Sequence, residues 1–301
     1  MNNNLSRVGY VAIIGRPNVG KSSLMNCLLN DQITIVSKKK QTTRNRILGV
    51  LNYKNNQIIF IDTPGIDFKE KYEINRRLNK LAFSELKNMN LILWVLEANK
   101  FTIDDQRIKD YLPNGLPVLV VLNKLDLSKN SNDKKLIFEN VSNFNNNNIK
   151  AILPISVKKK FQTSNLTSEI LKFLPIGEKI YEDSFRTDRS NVFRASEIIR
   201  KNVMFFVGDE LHYSISVCLE KINEMEKQKK IIEIDATIYV GKSTHRSMVL
   251  GSKGSKIKKI NKISQGELSN LFKKDVNLNL WVKIKKNWTN ESNLLPKMGI
   301  D

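Results

Sequence analysis

The stretch GRPNVGKS, residues 15–22, decides the fold of this chain. It follows a continuous apolar run, Val8–Ile14, and leads into Ser22–Asn30, where apolar residues recur at helical spacing. A loop bounded by glycines and ending in Lys-Ser, between a buried strand and a helix, is typical of a P-loop, whose backbone N–H groups surround a phosphate. The stretch therefore predicts an α/β domain with a doubly wound, mostly parallel sheet that binds a nucleoside triphosphate.

The polar groups of this loop have expected roles in phosphate binding. We expect Lys21 to bridge the β- and γ-phosphates and the Ser22 hydroxyl to ligate Mg²⁺. The nucleotide-binding residues predicted from this region are Gly15, Arg16, Pro17, Asn18, Val19, Gly20, Lys21, Ser22 and Ser23.

A second motif, DTPG, follows the apolar run Gln57–Ile61. In an open parallel sheet, ligands bind where the carboxyl ends of the strands lie. We expect Asp62 to hold Mg²⁺ through water and the Gly65 N–H to sense the γ-phosphate. The motif adds Asp62, Thr63, Pro64 and Gly65 to the predicted site.

A third motif, NKLD at residues 123–126, follows the apolar run Pro117–Leu122. Asp126 can accept hydrogen bonds from the N1–H and the amino group of guanine, a pair that adenine does not offer. Asn123 is expected to fix the base edge and the loop, and the Lys124 stem to pack over the ring. Alone, this tetrapeptide could be a surface turn. Its place after the two earlier motifs favours a guanine site, so the predicted nucleotide is GTP.

Two further elements of a guanine-nucleotide site carry weaker signals. Ser156 and Val157 end an apolar run and could present N–H groups to the guanine O6, although a plain strand-ending serine fits the same residues. The polar loop Gln41–Arg44 could close over the metal. One threonine hydroxyl there is expected to ligate Mg²⁺, with Thr43 preferred and Thr42 the alternative.

The residue after the DTPG motif bears on hydrolysis. A Ras-type hydrolase places a water-orienting glutamine there, and this chain has Ile66. We therefore predict slow intrinsic hydrolysis that rises when a partner binds, with Lys21, Thr43 and Gly65 as the catalytic contributors.

Composition limits the remaining possibilities. No apolar run reaches the ~18 residues of a membrane-spanning helix, and the first residues lack a signal or transit pattern, so a cytoplasmic protein is expected. Fifty basic and thirty acidic residues give a net charge of +20, which suggests a polyanionic partner. Heavy use of lysine and asparagine could raise that charge without selection for binding. Local clustering is more informative: Lys242–Lys262 holds seven basic residues and no acidic one.

The pattern of alternating strands and helices stops near residue 176. We predict a GTPase domain over residues 1–176, a polar linker over 177–190 and a smaller α+β domain over 191–301. The expected elements of the last are helix Val192–Val207, strands Tyr213–Leu219 and Ile231–Val240, short helix Ser247–Leu250, a basic helix to about Phe272 and strand Val276–Ile284.

A Gly-x-x-Gly loop, Gly251–Gly254, joins the last two helices of this αββααβ unit. Its glycines would let the backbone press against four nucleotides of a single strand. A lone loop of this kind is more often a simple turn, and the basic stripe with this order of elements favours RNA binding. The predicted RNA-binding residues are Val249, Gly251, Ser252, Lys253, Gly254, Lys256, Ile257 and Ile260.

Taken together, these segments resemble the Era family of bacterial GTPases, which carry a C-terminal type II KH domain. The resemblance covers nearly the whole chain. Two departures are His212, where the family usually has proline, and Val157, where it has alanine. The segments that carry it are GRPNVGKS (15–22), QTTRNRI (41–47), DTPG (62–65), NKLD (123–126), GDELHYS (208–214), VLGSKGSKIKKI (249–260) and LWVKIKKNW (280–288).

The resemblance implies a GTP-controlled assembly factor for the small ribosomal subunit, which binds ribosomal RNA near its 3′ end. It also implies Mg²⁺ as cofactor, Asn18 as a K⁺ ligand, a monomer, and peripheral association with the cytoplasmic face of the inner membrane. Two alternatives stay open: a GTPase acting in tRNA modification or another RNA-linked process, and an RNA-binding protein whose nucleotide fold is vestigial.

Overall fold

The apolar run before the P-loop forms a central strand of the first sheet. The computed structural model describes residues 6–36, 42–68, 73–127, 135, 139, 148–207, 214–224, 231–286 and 288. The chain divides into two compact units, the first comprising Met1–Thr34, Asn45–Glu70 and Asn75–Asp188, the second Ile35–Arg44, Lys71–Ile74 and Arg189–Asp301.

In the first unit, strands and helices alternate as the hydrophobic pattern predicts. The strands are β1 (Val8–Ile14), β2 (Ile47–Tyr53), β3 (Asn56–Asp62), β4 (Leu91–Glu97), β5 (Val118–Asn123) and β6 (Ile149–Pro154). The helices are α1 (Lys21–Leu29), α2 (Glu73–Ser84), α3 (Ile103–Asp110) and α4 (Thr163–Leu171).

These six strands form one sheet in the order β2-β3-β1-β4-β5-β6. Among the described strands of this sheet, only β2 and β3 pair antiparallel. The expected doubly wound, mostly parallel sheet is confirmed. Strands β1, β4 and β5 are almost entirely buried, as strands covered on both faces should be. All three motifs then fall at the same edge of the sheet, beyond the carboxyl ends of β1, β3 and β5.

The predicted linker, 177–190, is bonded to the first unit over much of its length. The side-chain amide of Gln57 accepts from the N–H of Tyr181 at 3.0 Å and donates to its carbonyl at 2.8 Å. Further on, the N–H of Val50 in β2 donates to the carbonyl of Arg186 at 2.9 Å. The linker therefore runs along β2, the strand at the edge of the sheet.

The second unit has the predicted αββααβ order. Its elements are α5 (Asn191–Phe206), β7 (Ile215–Glu224), β8 (Ile231–Val240), α6 (Ser243–Leu250), α7 (Ser255–Phe272) and β9 (Asp275–Ile284). Strand β8 pairs antiparallel with β7 and parallel with β9. Alternate residues of β8 pack with the helices in one hydrophobic core, which gives the strand its period of two.

Among the described helices, none is long and apolar enough to cross a membrane. Residues 208–213 of the GDELHYS segment, with His212, and Gln41 lie outside the described residues.

Candidate nucleotide-binding and RNA-binding sites

The P-loop takes its shape from two glycines that no other residue could replace without strain. Gly15 has φ +145°, and a Cβ on it would lie 2.4 Å from the Val95 carbonyl oxygen. Gly20 has φ +103°, and its Cβ would lie 2.3 Å from the Asn123 side-chain nitrogen. Helix α1 begins at the next residue, so the N–H groups of its first turn open toward the loop, as phosphate binding requires.

Lys21 lies inside this loop and is 6% exposed. Its ammonium donates to the carbonyls of Gly15 at 3.0 Å and Arg16 at 2.9 Å. Burial lowers the pKa of Lys21 to about 8; the charge of Arg16 also lowers it, and the Asp62 carboxylate opposes both. A phosphate bound in the loop would place a negative charge beside this buried ammonium and would favour its charged form.

The residues expected to bind Mg²⁺ include one pair in direct contact. The Ser22 hydroxyl donates to Asp62 Oδ2 at 2.7 Å, and Asp62 is fully buried at the end of β3. A hydroxyl oxygen and a carboxylate oxygen this close are the hard ligands that Mg²⁺ prefers. The residues present therefore fit the metal. Thr63 faces away from this pair, because its hydroxyl donates to the Ile13 carbonyl at 2.9 Å.

The DTPG loop packs directly on the P-loop. A Cβ on Gly65 would lie 2.8 Å from Pro17 Cα and 2.9 Å from its nitrogen. The next N–H, that of Ile66, donates to the Gly15 carbonyl at 3.2 Å. The Ile66 side chain is fully buried in the core beside α2 and β4. The side chain at position 66 therefore offers no polar group that could orient an attacking water.

Asn123 joins the phosphate-binding and base-binding ends of the site. Its side-chain nitrogen donates to the Val19 carbonyl at 2.9 Å, and its oxygen accepts from the Val157 N–H at 3.2 Å. We predicted that Asn123 fixes a base edge and the loop; these contacts show it bridging two loops.

The Asp126 carboxylate is bonded to Ser156, one of the residues for which the sequence signal was weaker. The Ser156 hydroxyl donates to Asp126 Oδ1 at 2.6 Å, and this bond is the main cause that lowers the pKa of Asp126. The carboxylate is therefore ionised and oriented before a base arrives. The neighbouring Lys124 forms an ion pair with Glu97 at the end of β4.

Thr42 and Thr43, the two candidate Mg²⁺ ligands, are both buried and belong to the second unit. Within that unit the Arg200 guanidinium donates to the Thr42 carbonyl, and Arg44 donates to the Ile215 carbonyl at 2.8 Å. Which threonine ligates the metal stays a prediction.

The Gly-x-x-Gly loop has the backbone that its glycines require. Gly251 and Gly254 have φ +72° and +75°, and Lys253 between them has φ +48°. Ser252 and Lys253 are exposed at the tip, followed by the partly buried Lys256 and Ile257 at the start of α7. Val249 and Ile260, also predicted to contact RNA, have no exposed surface because both pack in the hydrophobic core.

Known proteins match this chain over both units. A family model described as a 50S ribosome-binding GTPase matches residues 10–124, and a KH-domain model matches residues 210–289. GTPase Era of Yersinia pestis (strain Pestoides F) is 38% identical over 293 residues, which cover 97% of this chain and 95% of the relative. The chain belongs to the Era family of GTPases.

Two solved Era structures extend this match to three dimensions. Era in complex with MgGDPNP and nucleotides 1506–1542 of 16S ribosomal RNA is 33% identical, with a TM-score of 0.93 over 98% of this chain and 99% of that one. A point variant of Aquifex aeolicus Era bound to GDP·AlF₄⁻ is 32% identical, with a TM-score of 0.92 over the same shares.

Two contacts at this Era-type nucleotide site had not been predicted. Glu97, the partner of Lys124, had a usable signal, since it is a polar residue that ends a buried strand beside the NKLD strand. Asp105, which binds the side chain of Arg16, had none: it is one acidic residue among several on an exposed-looking helix.

Proposed function

We propose that this protein is a GTP-hydrolysing switch that binds small-subunit ribosomal RNA near its 3′ end and assists 30S assembly. The observation that carries the proposal is the agreement, over nearly the whole chain, with an Era whose structure holds both MgGDPNP and a 16S ribosomal RNA fragment. The order of elements in the second unit and the exposed Gly-x-x-Gly loop support the RNA-binding part.

The nucleotide would bind across the first unit. The P-loop backbone and Lys21 would hold the β- and γ-phosphates, and Asp126, oriented by Ser156, would accept from guanine. Ser22, Asp62 and one of the two threonines would hold Mg²⁺, which when bound neutralises charge on the phosphate oxygens. Asn18 as a ligand for K⁺ stays a prediction; it lies exposed at the loop tip with φ +66°.

Hydrolysis is expected to be slow without a partner. Because Ile66 is buried, its side chain cannot orient a water, and a metal ion, an ordered water chain or a bound partner would have to supply the missing polarisation. The predicted signature is weak intrinsic GTPase activity that rises on addition of an RNA carrying the 3′ end of the small-subunit ribosomal RNA. A fast rate without RNA would contradict it.

The RNA would bind the second unit at the Gly-x-x-Gly loop and the basic helix that follows. The surface available there includes Ser252, Lys253, Lys256 and Ile257, beside the loop glycines. Monomeric behaviour, a cytoplasmic location and peripheral membrane association are further expectations from the family resemblance.

Crosslinking of the bound RNA in cells tests the assembly role most directly. Recovery of the 3′ end of the small-subunit ribosomal RNA supports the proposal. Recovery of tRNA would favour the alternative role in tRNA modification, and random mRNA would contradict any assembly role.

A pair of matched variants locates the RNA site in vitro. Lys253→Ala is expected to weaken binding of a single-stranded 3′-end oligonucleotide several-fold. It should also reduce the slope of log affinity against log salt concentration by about one, as the loss of one phosphate contact predicts. Lys172→Ala removes the same charge from an exposed position in the first unit and should leave binding unchanged. Equal effects of the two would show that only bulk charge matters.

A further inference from the structure

The side chain of Arg16 turns away from the P-loop interior. Its Nε donates to Asp105 Oδ1 at 2.6 Å, and its Nη2 donates to the Lys100 carbonyl at 3.3 Å. The Arg16 side chain is only 12% exposed and the Asp105 side chain is fully buried. Arg16 was expected to contact the nucleotide. In this structure its guanidinium instead forms an ion pair with Asp105 of α3.

The two carboxylate oxygens of Asp105 accept hydrogen bonds from different residues. Oδ1 binds Arg16, while Oδ2 accepts from the N–H and the hydroxyl of Thr102, both at 2.9 Å. The bond from the Thr102 N–H belongs to the capping box at the start of α3, and the bond from the Thr102 hydroxyl adds a second contact to the same oxygen. The carboxylate is therefore anchored to a helix on one side and holds the phosphate loop on the other.

The backbone of Arg16 links the ion pair with Asp105 to the phosphate site. Its backbone carbonyl accepts from Lys21 Nζ, so the peptide that carries the Arg16 side chain also positions the lysine. We propose that Asp105, acting through Arg16, is a positioning residue that sets the P-loop for phosphate binding. The inference rests on the nucleotide-binding part of the proposed function and is independent of the RNA.

The test uses the full-length protein with GDP and with guanosine, which shares the base but lacks the phosphates. The double variant R16M/D105N removes both charges, so no buried charge is left alone and the fold should persist. We expect its affinity for GDP to fall on the order of tenfold, the size typical of a lost charge-assisted hydrogen bond, with its affinity for guanosine and its melting temperature nearly unchanged.

Two single variants complete the design. R16K keeps a charge that can pair with Asp105 and should retain most of the GDP affinity that R16M/D105N loses. I108V removes a methylene group from the buried side of α3 and leaves the hydrogen bonds of Asp105 in place, so it should lower the melting temperature slightly while leaving GDP affinity unchanged.

The outcomes separate the possible explanations. Unchanged GDP affinity in R16M/D105N, or an equal loss for GDP and guanosine, would overturn the positioning role. A loss of GDP affinity in I108V as large as that in R16M/D105N would also overturn it, since the stability of α3 alone would then account for the effect. Failure of the wild-type protein to bind GDP would instead refute the proposed function itself.

Discussion

Raising the pH from 7.5 to 8.5 should weaken GDP binding, because Lys21 loses its charge in the empty site. Its pKa there is lowered from 10.5 to about 8 by burial. Without a bound phosphate, the charged form of Lys21 predominates below pH 8 and the neutral form predominates above it. A bound phosphate favours the charged form, so binding above pH 8 requires proton uptake and the affinity falls as the pH rises.

The size of the effect follows from the charged fraction of the free lysine. With a pKa of about 8, that fraction falls from roughly three quarters to roughly one quarter across this interval, so the dissociation constant should rise about threefold. The chosen interval lies well above the second pKa of a terminal phosphate, about 6, so the phosphate stays almost fully ionised throughout. It also stays below the range where guanine loses its own N1 proton.

Isothermal titration in two buffers of different ionisation enthalpy measures both the affinity and the protons taken up. Lys21→Met serves as the control, since it should bind more weakly with no pH dependence over this interval. A flat profile for the wild-type protein, or the same slope in Lys21→Met, would refute the assignment to Lys21.

Three substitutions test other parts of the structure. Asp126→Asn should lower GDP affinity on the order of 100-fold, because the amide offers a donor where guanine needs a second acceptor, and should favour xanthosine diphosphate in competition. The hydrogen bond from Ser156 can persist in this variant, so an unchanged GDP affinity would refute the role of the carboxylate. Gly65→Ala should slow GTP hydrolysis about tenfold, because its Cβ would displace the Pro17 backbone; wild-type kinetics would show that the loops can separate freely. Gly266→Ala should raise the free energy of unfolding by about 0.5–1 kcal/mol in a denaturant titration, because this exposed glycine inside α7 has open space around its Cα; a lower stability would indicate a role for the glycine itself.

The sequence was sufficient for most of the fold. Continuous apolar runs located β1, β3 and β5 to within one residue at each end, and β1 and β8 have the predicted bounds. Boundaries differed most where tertiary pairing extends an element. Strand β7 runs on to Glu224, past the predicted Leu219, because it continues to pair with β8 beyond a bulge.

The nucleotide site was predictable to the extent that its chemistry lies in contiguous motifs. The contact between Ser22 and Asp62 brings two motifs together as expected. Contacts between a motif and a residue outside all motifs were not predictable, and the Arg16–Asp105 pair is the clearest case. No local pattern distinguishes a carboxylate that holds a distant loop from one that faces water.

At the RNA site, by contrast, one residue predicted to contact RNA is buried although a local sequence pattern indicates its burial. Ile260 of α7 was predicted to face the RNA, and the structure places it in the hydrophobic core. Ile260 lies on the buried side with Ser264 and Leu268, at the four-residue spacing of a core-facing stripe. The same spacing rule, applied to the whole helix, would have assigned Ile260 to the core in advance.

The linker along β2 also covers backbone groups through which the first unit could pair with another chain. An edge strand exposes unpaired backbone groups that can pair with a second molecule and begin aggregation. Here the Val50 N–H is occupied by the Arg186 carbonyl, and Gly49 forms a bridge with Thr187. A first unit cut free at residue 176 would expose this edge, so its solubility should depend on the segment that joins it to the second unit.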